Sequence, residues 1–167
     1  MASKNKKGAG CNEQYTMYQF ETKKFNIMEF EAEWKDLIGD PELAGAWFIW
    51  GRSGGGKTRF AARLAKYLLQ FGSVAYNSLE QGCSHSLRIA FKAEGLLGKN
   101  RIVLWRKSVA NMIEDLSKRK SPSIIIIDSF QYTKLSYDDY IEFKQLFPNK
   151  LLIFISHAEG REPKGSH

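Results

Sequence analysis

An eight-residue loop between a strand and a helix constrains this 167-residue chain more than any other feature. The loop reads GRSGGGKT over residues 51–58 and fits the pattern G-x-x-x-x-G-K-[S/T] at every required position. Its glycines let successive backbone N–H groups point at phosphate oxygens, and the following helix adds the positive end of its dipole. The candidate nucleotide-binding residues are Gly51, Arg52, Ser53, Gly54, Gly55, Gly56, Lys57 and Thr58.

The segments on either side of the loop strengthen this prediction. The apolar run Ala46–Trp50 precedes it, and Lys57–Phe71 follows with apolar residues at helical spacing. A glycine-rich turn without a ligand is the alternative, which this placement makes much rarer. We expect Lys57 to reach the β- and γ-phosphates of a bound triphosphate and the Thr58 hydroxyl to ligate Mg²⁺.

Short apolar runs alternate with segments of helical periodicity through the rest of the chain. The strand candidates are Ala46–Trp50, Ser73–Leu79, Arg101–Trp105, Ile124–Asp128 and Leu151–Ser156. The helix candidates are Lys57–Phe71, Cys83–Glu94, Val109–Lys118 and Tyr137–Leu146. Apolar strands separated by helices are typical of a parallel sheet covered on both faces. The sequence therefore predicts a three-layer, doubly wound α/β fold with its chemistry at the carboxyl ends of the strands.

The N-terminal part is expected to be an accessory to a single core, because this length suits one domain better than two. Residues 1–10 are polar and lysine-rich, which predicts a mobile tail, and Phe30–Ile38 predicts a short helix. The residues of that helix expected to pack on the main sheet are Phe30, Trp34, Leu37 and Ile38. We divide the chain into a basic tail with a helical lead-in, residues 1–45, and a core, residues 46–167.

The best candidate for a metal-holding acid is Asp128, which ends the run SIIIIDS over Ser123–Ser129. Four consecutive isoleucines predict a strand buried on both faces, whose carboxyl end would lie beside the phosphate loop. Asp128 is therefore the second candidate Mg²⁺ ligand, together with Thr58. An aspartate that caps the following turn is the alternative.

Glu80 is the candidate general base. It directly follows the predicted strand Ser73–Leu79, which we expect to neighbour the phosphate-loop region. A carboxylate in that position can orient and deprotonate the water that attacks a γ-phosphate. A surface glutamate in the first turn of the next helix is the alternative.

His157 follows the last predicted strand, Leu151–Ser156, at the same edge of the sheet. A polar side chain there can hydrogen-bond the γ-phosphate or the attacking water and relay the nucleotide state. A structural or solvated histidine is the alternative. The polar segment 158–165 is expected to be a mobile loop that carries Arg161 and Lys164.

The charge of the chain favours an anionic partner. The formal net charge is +7 and the sequence pI is about 9.4. Residues 99–120 hold seven basic residues against two acidic ones, which would suit the backbone of single-stranded DNA. The triplet Lys118–Lys120 at a helix end has an alternative role, since cations there favour the helix dipole.

Cysteine use and hydropathy indicate the compartment. Cys11 and Cys83 form neither a disulfide framework nor a zinc-site spacing, and no apolar run approaches the length of a membrane span. The N-terminus lacks the apolar segment of a signal peptide. We therefore expect a cytoplasmic protein with no membrane partner.

Four segments in this order resemble the RecA-like ATPase family, which includes DnaB-type hexameric helicases and RadA-type recombinases. They are GRSGGGKT (Gly51–Thr58), NSLEQG (Asn77–Gly82), IIIIDSFQY (Ile124–Tyr132) and FISHAEGREPKG (Phe154–Gly165). The last looks especially like the single-domain AAA-type ATPases of phages and mobile elements. The resemblance implies a RecA-like P-loop NTPase core that uses ATP and Mg²⁺. Lys57, Glu80, Asp128 and His157 are then the candidate catalytic residues, with His157 in the place of the family's polar sensor.

The resemblance also implies a function, namely an Mg²⁺-dependent ATPase that acts on DNA in replication or recombination as a homo-oligomer. The family core ordinarily continues past the sensor strand and carries a finger residue that reaches the neighbouring subunit, whereas this sequence ends at His167. Two explanations stay open: a core truncated after the sensor strand, or a core without a trans-acting finger.

Two further function classes stay open. A P-loop small-molecule kinase shares the strand, loop and helix, although no arginine-rich lid is visible between the helices. A nucleotide-dependent module that assembles or loads a partner, with slow turnover, would need the same loop without strong hydrolysis.

Overall fold

A six-stranded sheet forms the centre of the computed structural model, which describes residues 14–159 and 162–163. The tail predicted for residues 1–10 lies outside the described residues, as do Arg161 and Lys164. The strands are β1 Gly45–Gly51, β2 Val74–Ser78, β3 Ile102–Trp105, β4 Ile124–Asp128, β5 Leu151–Glu159 and β6 Glu162–Pro163.

The strand order is β1-β5-β4-β2-β3, and all neighbours in this order are parallel. The short strand β6 pairs antiparallel with the end of β5. Every residue of β2 and β4 is buried, whereas the edge strands β1 and β3 are partly exposed. The carboxyl ends of the five parallel strands therefore lie at one edge of the sheet.

Six α-helices and one 3₁₀ helix connect or flank the strands in the described part of the chain. The α-helices are α1 Met17–Glu21, α2 Ala32–Ile38, α3 Lys57–Leu68, α4 His85–Ala93, α5 Val109–Leu116 and α6 Tyr137–Leu146. The 3₁₀ helix covers Phe130–Thr133. The five strands and four core helices expected from the sequence are all present, so the predicted α/β fold is confirmed.

Serine caps set the starts of three helices. The hydroxyls of Ser84, Ser108 and Ser136 each accept a hydrogen bond from a backbone N–H in the first turn of α4, α5 and α6. Because Ser84 is the cap, α4 begins two residues after the predicted start at Cys83. Helix α3 ends at Leu68 rather than Phe71, and the Gly72 N–H then bonds to the Leu68 carbonyl.

Helices cover both faces of the sheet, which gives three layers. We call the side covered by α2, α3 and α4 the α3 face and the side covered by α5 and α6 the α6 face. Buried side chains of the α3 face include Leu64, Tyr76 and Ile126. Those of the α6 face include Met112 and Phe154. Each face has one apolar cluster, so the sheet is the wall between two cores.

The lead-in helix differs from its prediction. Trp34 stacks on Tyr67 of α3 with 5.2 Å between ring centroids, so α2 packs mainly on a helix rather than on the sheet. Phe30 precedes the helix and contacts both Tyr67 and Trp47. Leu37 was expected to pack on the sheet, but 64% of it is exposed.

The last parallel strand is longer than predicted, since β5 continues to Glu159. His157 consequently lies inside the strand, and the segment predicted as a loop begins with the β5–β6 pairing Ala158↔Pro163. None of the helices in the described ranges is long and apolar enough to cross a membrane.

Candidate functional site

The phosphate loop connects β1 to α3. Gly54 and Gly56 have φ angles of 76° and 81°, a left-handed conformation that side chains rarely adopt. Gly56 is also the residue that caps α3, which begins at Lys57. The backbone path that leads into the helix therefore favours glycine at positions 54 and 56.

Lys57 bridges the two ends of the loop. Its Nζ atom donates to the carbonyl oxygens of Gly51 and Arg52, each at 2.8 Å. Gly51 and Arg52 therefore contact the lysine through their backbone. To bind a phosphate, the ammonium group would exchange these carbonyl oxygens for phosphate oxygens, which are stronger acceptors.

A cavity of about 330 Å³ lies at the carboxyl edge of the sheet, above the phosphate loop. Its lining residues are Ser53, Gly54, Gly56, Lys57, Thr58, Arg59, Glu80, Gln81, Ser86, Ala90, Asp128 and His157. The structure thus brings together the predicted catalytic residues Lys57, Glu80, Asp128 and His157, although they are up to 100 positions apart in the sequence. Of the predicted loop residues, Gly51, Arg52 and Gly55 are not part of the lining.

The period-2 alternation of strands explains why these side chains converge. Ile124 and Ile126 of β4 and Ile153 and Ile155 of β5 point into the apolar cluster of the α3 face. Asp128 and His157 continue the same alternation at the ends of these strands. Both functional side chains therefore project toward α3 and the phosphate loop.

Asp128 is 4% exposed and is held from two sides. Its Oδ2 atom accepts a hydrogen bond of 2.7 Å from the Tyr76 hydroxyl, and the Thr58 hydroxyl oxygen lies 3.4 Å from the same atom. Burial raises the pKa of Asp128, whereas the hydrogen bond from Tyr76 opposes that rise. Burial and the nearby Asp128 charge raise the pKa of Tyr76 well above its usual value, so the phenol remains a donor.

The donor set suits Mg²⁺. The metal prefers hard oxygen ligands and is usually held by one or two protein groups plus phosphates and waters. The Thr58 hydroxyl and the Asp128 carboxylate are such oxygens and lie next to each other at the cavity wall. No cluster of three or more His, Cys, Asp or Glu side chains with metal-site spacing occurs in the described ranges. The pair of oxygen donors from Thr58 and Asp128 fits a metal that also binds phosphate.

Glu80 and His157 contact each other across the cavity. Glu80 Oε2 lies 2.9 Å from His157 Nε2, and the two side chains are 29% and 24% exposed. The backbone of Glu80 is also fixed, because its N–H donates to the Asp128 carbonyl oxygen at 3.2 Å. The carboxylate and the imidazole thus form a pair whose position depends on the end of β4.

Several residues at or beside the site were not foreseen from the sequence, among them the cavity-lining residues Arg59, Ser86 and Ala90. Gln81 donates from Nε2 to the Thr58 hydroxyl at 3.3 Å, and Tyr76 donates to Asp128. Gln131 donates from Nε2 to the Ser156 hydroxyl at 2.7 Å, which links the 3₁₀ helix to β5 next to His157. Gln81 and Gln131 lie within the quoted motif segments, near Glu80 and Asp128. Tyr76 gave no such signal, because a tyrosine inside an apolar strand suggests core packing.

The basic residues of the span 99–120 lie before and after β3 and before β4. Arg106 and Lys107 follow β3 at the carboxyl edge, where Arg106 lies against Gly82 and the Lys107 N–H bonds to Asn77. Arg101 precedes β3, and Lys118–Lys120 precede β4, at the opposite edge. The ammonium groups of Lys107 and Lys118 nevertheless both contact the Asp115 carboxylate of α5, so the two parts of the span meet there.

Solved structures share this architecture at low sequence identity. The flagellar accessory protein FlaH from Methanocaldococcus jannaschii matches with a TM-score of 0.57 and 18% identity, over 80% of this chain and 71% of that one. A second structure, described as an ATPase domain, matches with a TM-score of 0.61 and 19% identity, over 86% and 69% of the two chains. The chain has a RecA-like fold.

A third RecA-like match is NeqB, described as a unique ATP synthase subunit from Nanoarcheaum equitans. Its TM-score is 0.56 at 12% identity, over 77% of this chain and 44% of that one. No protein-family model and no curated protein sequence matches the chain. The comparisons therefore establish the RecA-like fold.

Proposed function

We propose that this chain is an Mg²⁺-dependent ATPase. The observation that carries the proposal is the convergence of a phosphate loop, a buried aspartate and a glutamate–histidine pair on one cavity of about 330 Å³. Two of the compared structures are described as an ATPase domain and an ATP synthase subunit, which supports the same chemistry for this fold.

The proposed binding step uses the phosphate loop and Lys57. Backbone N–H groups of the loop and the N-terminus of α3 would hold the phosphates, and the Lys57 ammonium would move from its carbonyl partners to the β- and γ-phosphates. Thr58 and Asp128 would hold Mg²⁺, which when bound neutralises phosphate charge.

The proposed hydrolytic step uses Glu80 and His157. Glu80 would leave its contact with His157 and accept a proton from the attacking water. His157 would then be free to donate a hydrogen bond to the γ-phosphate. Hydrolysis would therefore require that the 2.9 Å contact between these two side chains first breaks.

The direct test compares Glu80→Gln with wild type and with Glu142→Gln, an exposed glutamate of α6. Loss of the base should lower the ATP hydrolysis rate by about 100-fold or more, while affinity for ATP stays within about twofold. Glu142→Gln should hydrolyse ATP like wild type. Equal rates in all three proteins would refute the assigned role of Glu80, and absence of ATP binding by wild type would refute the proposal as a whole.

We further propose that the ATPase acts on DNA in replication or recombination. The net charge of +7 supports an anionic partner. Tyr132, Lys134 and Tyr137 are exposed in the segment that follows Asp128, and aromatic and basic side chains of this kind suit stacking and phosphate contacts with single-stranded DNA. Single-stranded DNA should then stimulate ATP hydrolysis, with an effect that falls steeply as salt rises. No stimulation at low salt would contradict this part.

We also propose that the active form is a homo-oligomer. Among the described residues, the lysine and arginine side chains at the cavity are Lys57 and Arg59, and Arg59 Nε lies 3.3 Å from Glu94 Oε1. Phosphoryl transfer usually needs a further cation for the developing charge, which a neighbouring subunit can supply. The hydrolysis rate per subunit should therefore rise with protein concentration, whereas a constant rate would indicate a self-sufficient site.

A nucleotide-dependent assembly module with slow turnover is the second candidate. The Glu80–His157 contact favours it, because a base held by a neighbour is available for only part of the time. Under this function a non-hydrolysable ATP analogue should change the oligomeric state measured by light scattering even where hydrolysis is negligible.

A further inference from the structure

Tyr76 is a polar residue in an apolar position. It is fully buried in the middle of β2, among side chains of the α3-face cluster, and its ring packs edge-on against Phe91 of α4 with 5.0 Å between centroids. Phenylalanine would fill nearly the same volume without a hydroxyl to satisfy. A tyrosine here therefore suggests a role for the hydroxyl itself.

The hydroxyl of Tyr76 holds the carboxylate of Asp128. The O–H donates to Oδ2 at 2.7 Å, which is a shorter contact than that of Thr58 Oγ1, at 3.4 Å from the same oxygen. The tyrosine ring is fixed by packing, so the position of the donor is fixed too. Oδ2 is thereby held, and Oδ1 has no hydrogen-bond partner among the described residues, so it is left for another ligand.

We infer that Tyr76 is a positioning residue for Mg²⁺: its buried hydroxyl orients the Asp128 carboxylate toward the metal position beside Thr58. This inference rests on the proposed function and adds a residue that the phosphate-loop motif does not contain. Partners that orient a metal ligand typically change metal affinity by about 10- to 100-fold when removed.

The test measures Mg²⁺-dependent binding of a fluorescent, non-hydrolysable ATP analogue to the full chain. In Tyr76→Phe, the Mg²⁺ concentration for half-maximal gain in affinity should rise about 10-fold, and affinity in EDTA should stay within about twofold. Tyr67→Phe is the matched control, because the Tyr67 hydroxyl accepts a 2.7 Å hydrogen bond from the Glu31 N–H far from the metal position. It should lose stability but keep the wild-type Mg²⁺ dependence.

A double-mutant cycle separates orientation from a general loss of packing. In an Asp128→Asn background, Tyr76→Phe should cause no further loss of affinity at saturating Mg²⁺, because the carboxylate it orients is gone. An additional 10-fold loss in that background would overturn the inference, as would an unchanged Mg²⁺ dependence of Tyr76→Phe.

The two levels of proposal fail differently. A wild-type protein that gains no affinity from Mg²⁺ overturns the proposed function and the inference together. A wild-type gain that Tyr76→Phe fully retains overturns the inference alone and leaves the proposed ATPase intact.

Discussion

The two faces of the sheet use their polar residues differently at the same carboxyl edge. On the α3 face, Asp128 and His157 line the cavity, and Tyr76 donates a hydrogen bond to Asp128 at the proposed metal position. On the α6 face, Asn77 is locked by its neighbours: its Oδ1 accepts from the Lys107 N–H at 2.8 Å and its Nδ2 donates to the Lys107 carbonyl at 2.9 Å.

The difference follows from a shift of one residue along a strand. Tyr76 and Asn77 are adjacent in β2, yet their side chains point to opposite faces. The α3 face carries ionisable groups whose bonds can be exchanged for ligand atoms. The α6 face carries an uncharged amide whose bonds tie β2 to the segment after β3. The α3 face therefore carries the residues of the proposed site, whereas Asn77 on the α6 face ties β2 to the segment after β3.

The largest expected contrast comes from Asp128→Asn on the α3 face. Loss of the carboxylate should lower ATP hydrolysis by about 100-fold or more, because an amide oxygen is a weaker Mg²⁺ ligand. The same change removes a buried charge, so the melting temperature measured in EDTA should rise. A lower melting temperature would show that the carboxylate stabilises the fold and would weaken the contrast between the faces.

The pH dependence of that stability gain has a defined sign. Burial raises the pKa of Asp128, so the folded state favours the protonated carboxyl more than the unfolded state does. The cost of ionisation is present above the folded-state pKa and disappears below the unfolded-state pKa. The difference in melting temperature between Asp128→Asn and wild type should therefore shrink as the pH falls from 7 toward 4.

The next largest effect is expected from Asn77→Ala on the α6 face. Removal of the amide leaves the backbone N–H and carbonyl of Lys107 without this partner, which should lower the free energy of unfolding by about 2–4 kcal/mol in urea titrations. ATP hydrolysis per folded molecule should change less than threefold. Asn111→Ala, an exposed asparagine of α5, is the matched control and should change stability by less than about 0.5 kcal/mol.

A smaller effect is expected from His157→Asn. The proposed contact of His157 with the γ-phosphate predicts that the preference for ATP over ADP falls by about 10-fold, since one charge-assisted hydrogen bond is lost. Calorimetric titrations with each nucleotide measure this ratio. An unchanged preference would mean that His157 is only a structural partner of Glu80 and that another residue contacts the γ-phosphate.

The smallest effect is expected from Ser136→Ala, which removes the N-cap of α6. Its hydroxyl accepts from the Asp139 N–H, and the Asp139 side chain accepts from the Ser136 N–H. Loss of the cap should cost about 1 kcal/mol of stability and leave ATP hydrolysis unchanged. A large loss of hydrolysis would mean that α6 contributes to the site.

The sequence was sufficient for the fold and for the placement of the main site residues. The four isoleucines before Asp128 predict a strand buried on both faces, and β4 has every residue buried. The loop at Gly51–Thr58 predicts the turn from β1 into α3, which begins at Lys57 as expected. Local patterns sufficed here because strand burial and glycine conformations are properties of short segments.

The sequence was insufficient where a residue depends on distant partners. Tyr76 is 52 positions from Asp128, so nothing local distinguishes it from a core aromatic residue. Leu37 has the spacing of a buried helix position, but the Trp34 contact on Tyr67 decides which side of α2 is covered. The contact of both Lys107 and Lys118 with the Asp115 carboxylate likewise joins residues that are 11 positions apart, which the composition of the basic span does not reveal.

One carbonyl oxygen links the proposed metal ligand to the proposed base. The Asp128 carbonyl accepts from the N–H groups of both Leu79 and Glu80, at 2.6 and 3.2 Å, while the side chain of the same residue faces Thr58. Hydrogen bonds to the Asp128 carbonyl thus set the distance between the backbones of the proposed metal ligand, Asp128, and the proposed base, Glu80. Substitutions that repack the remote core should therefore displace Asp128 and Glu80 together rather than separate them.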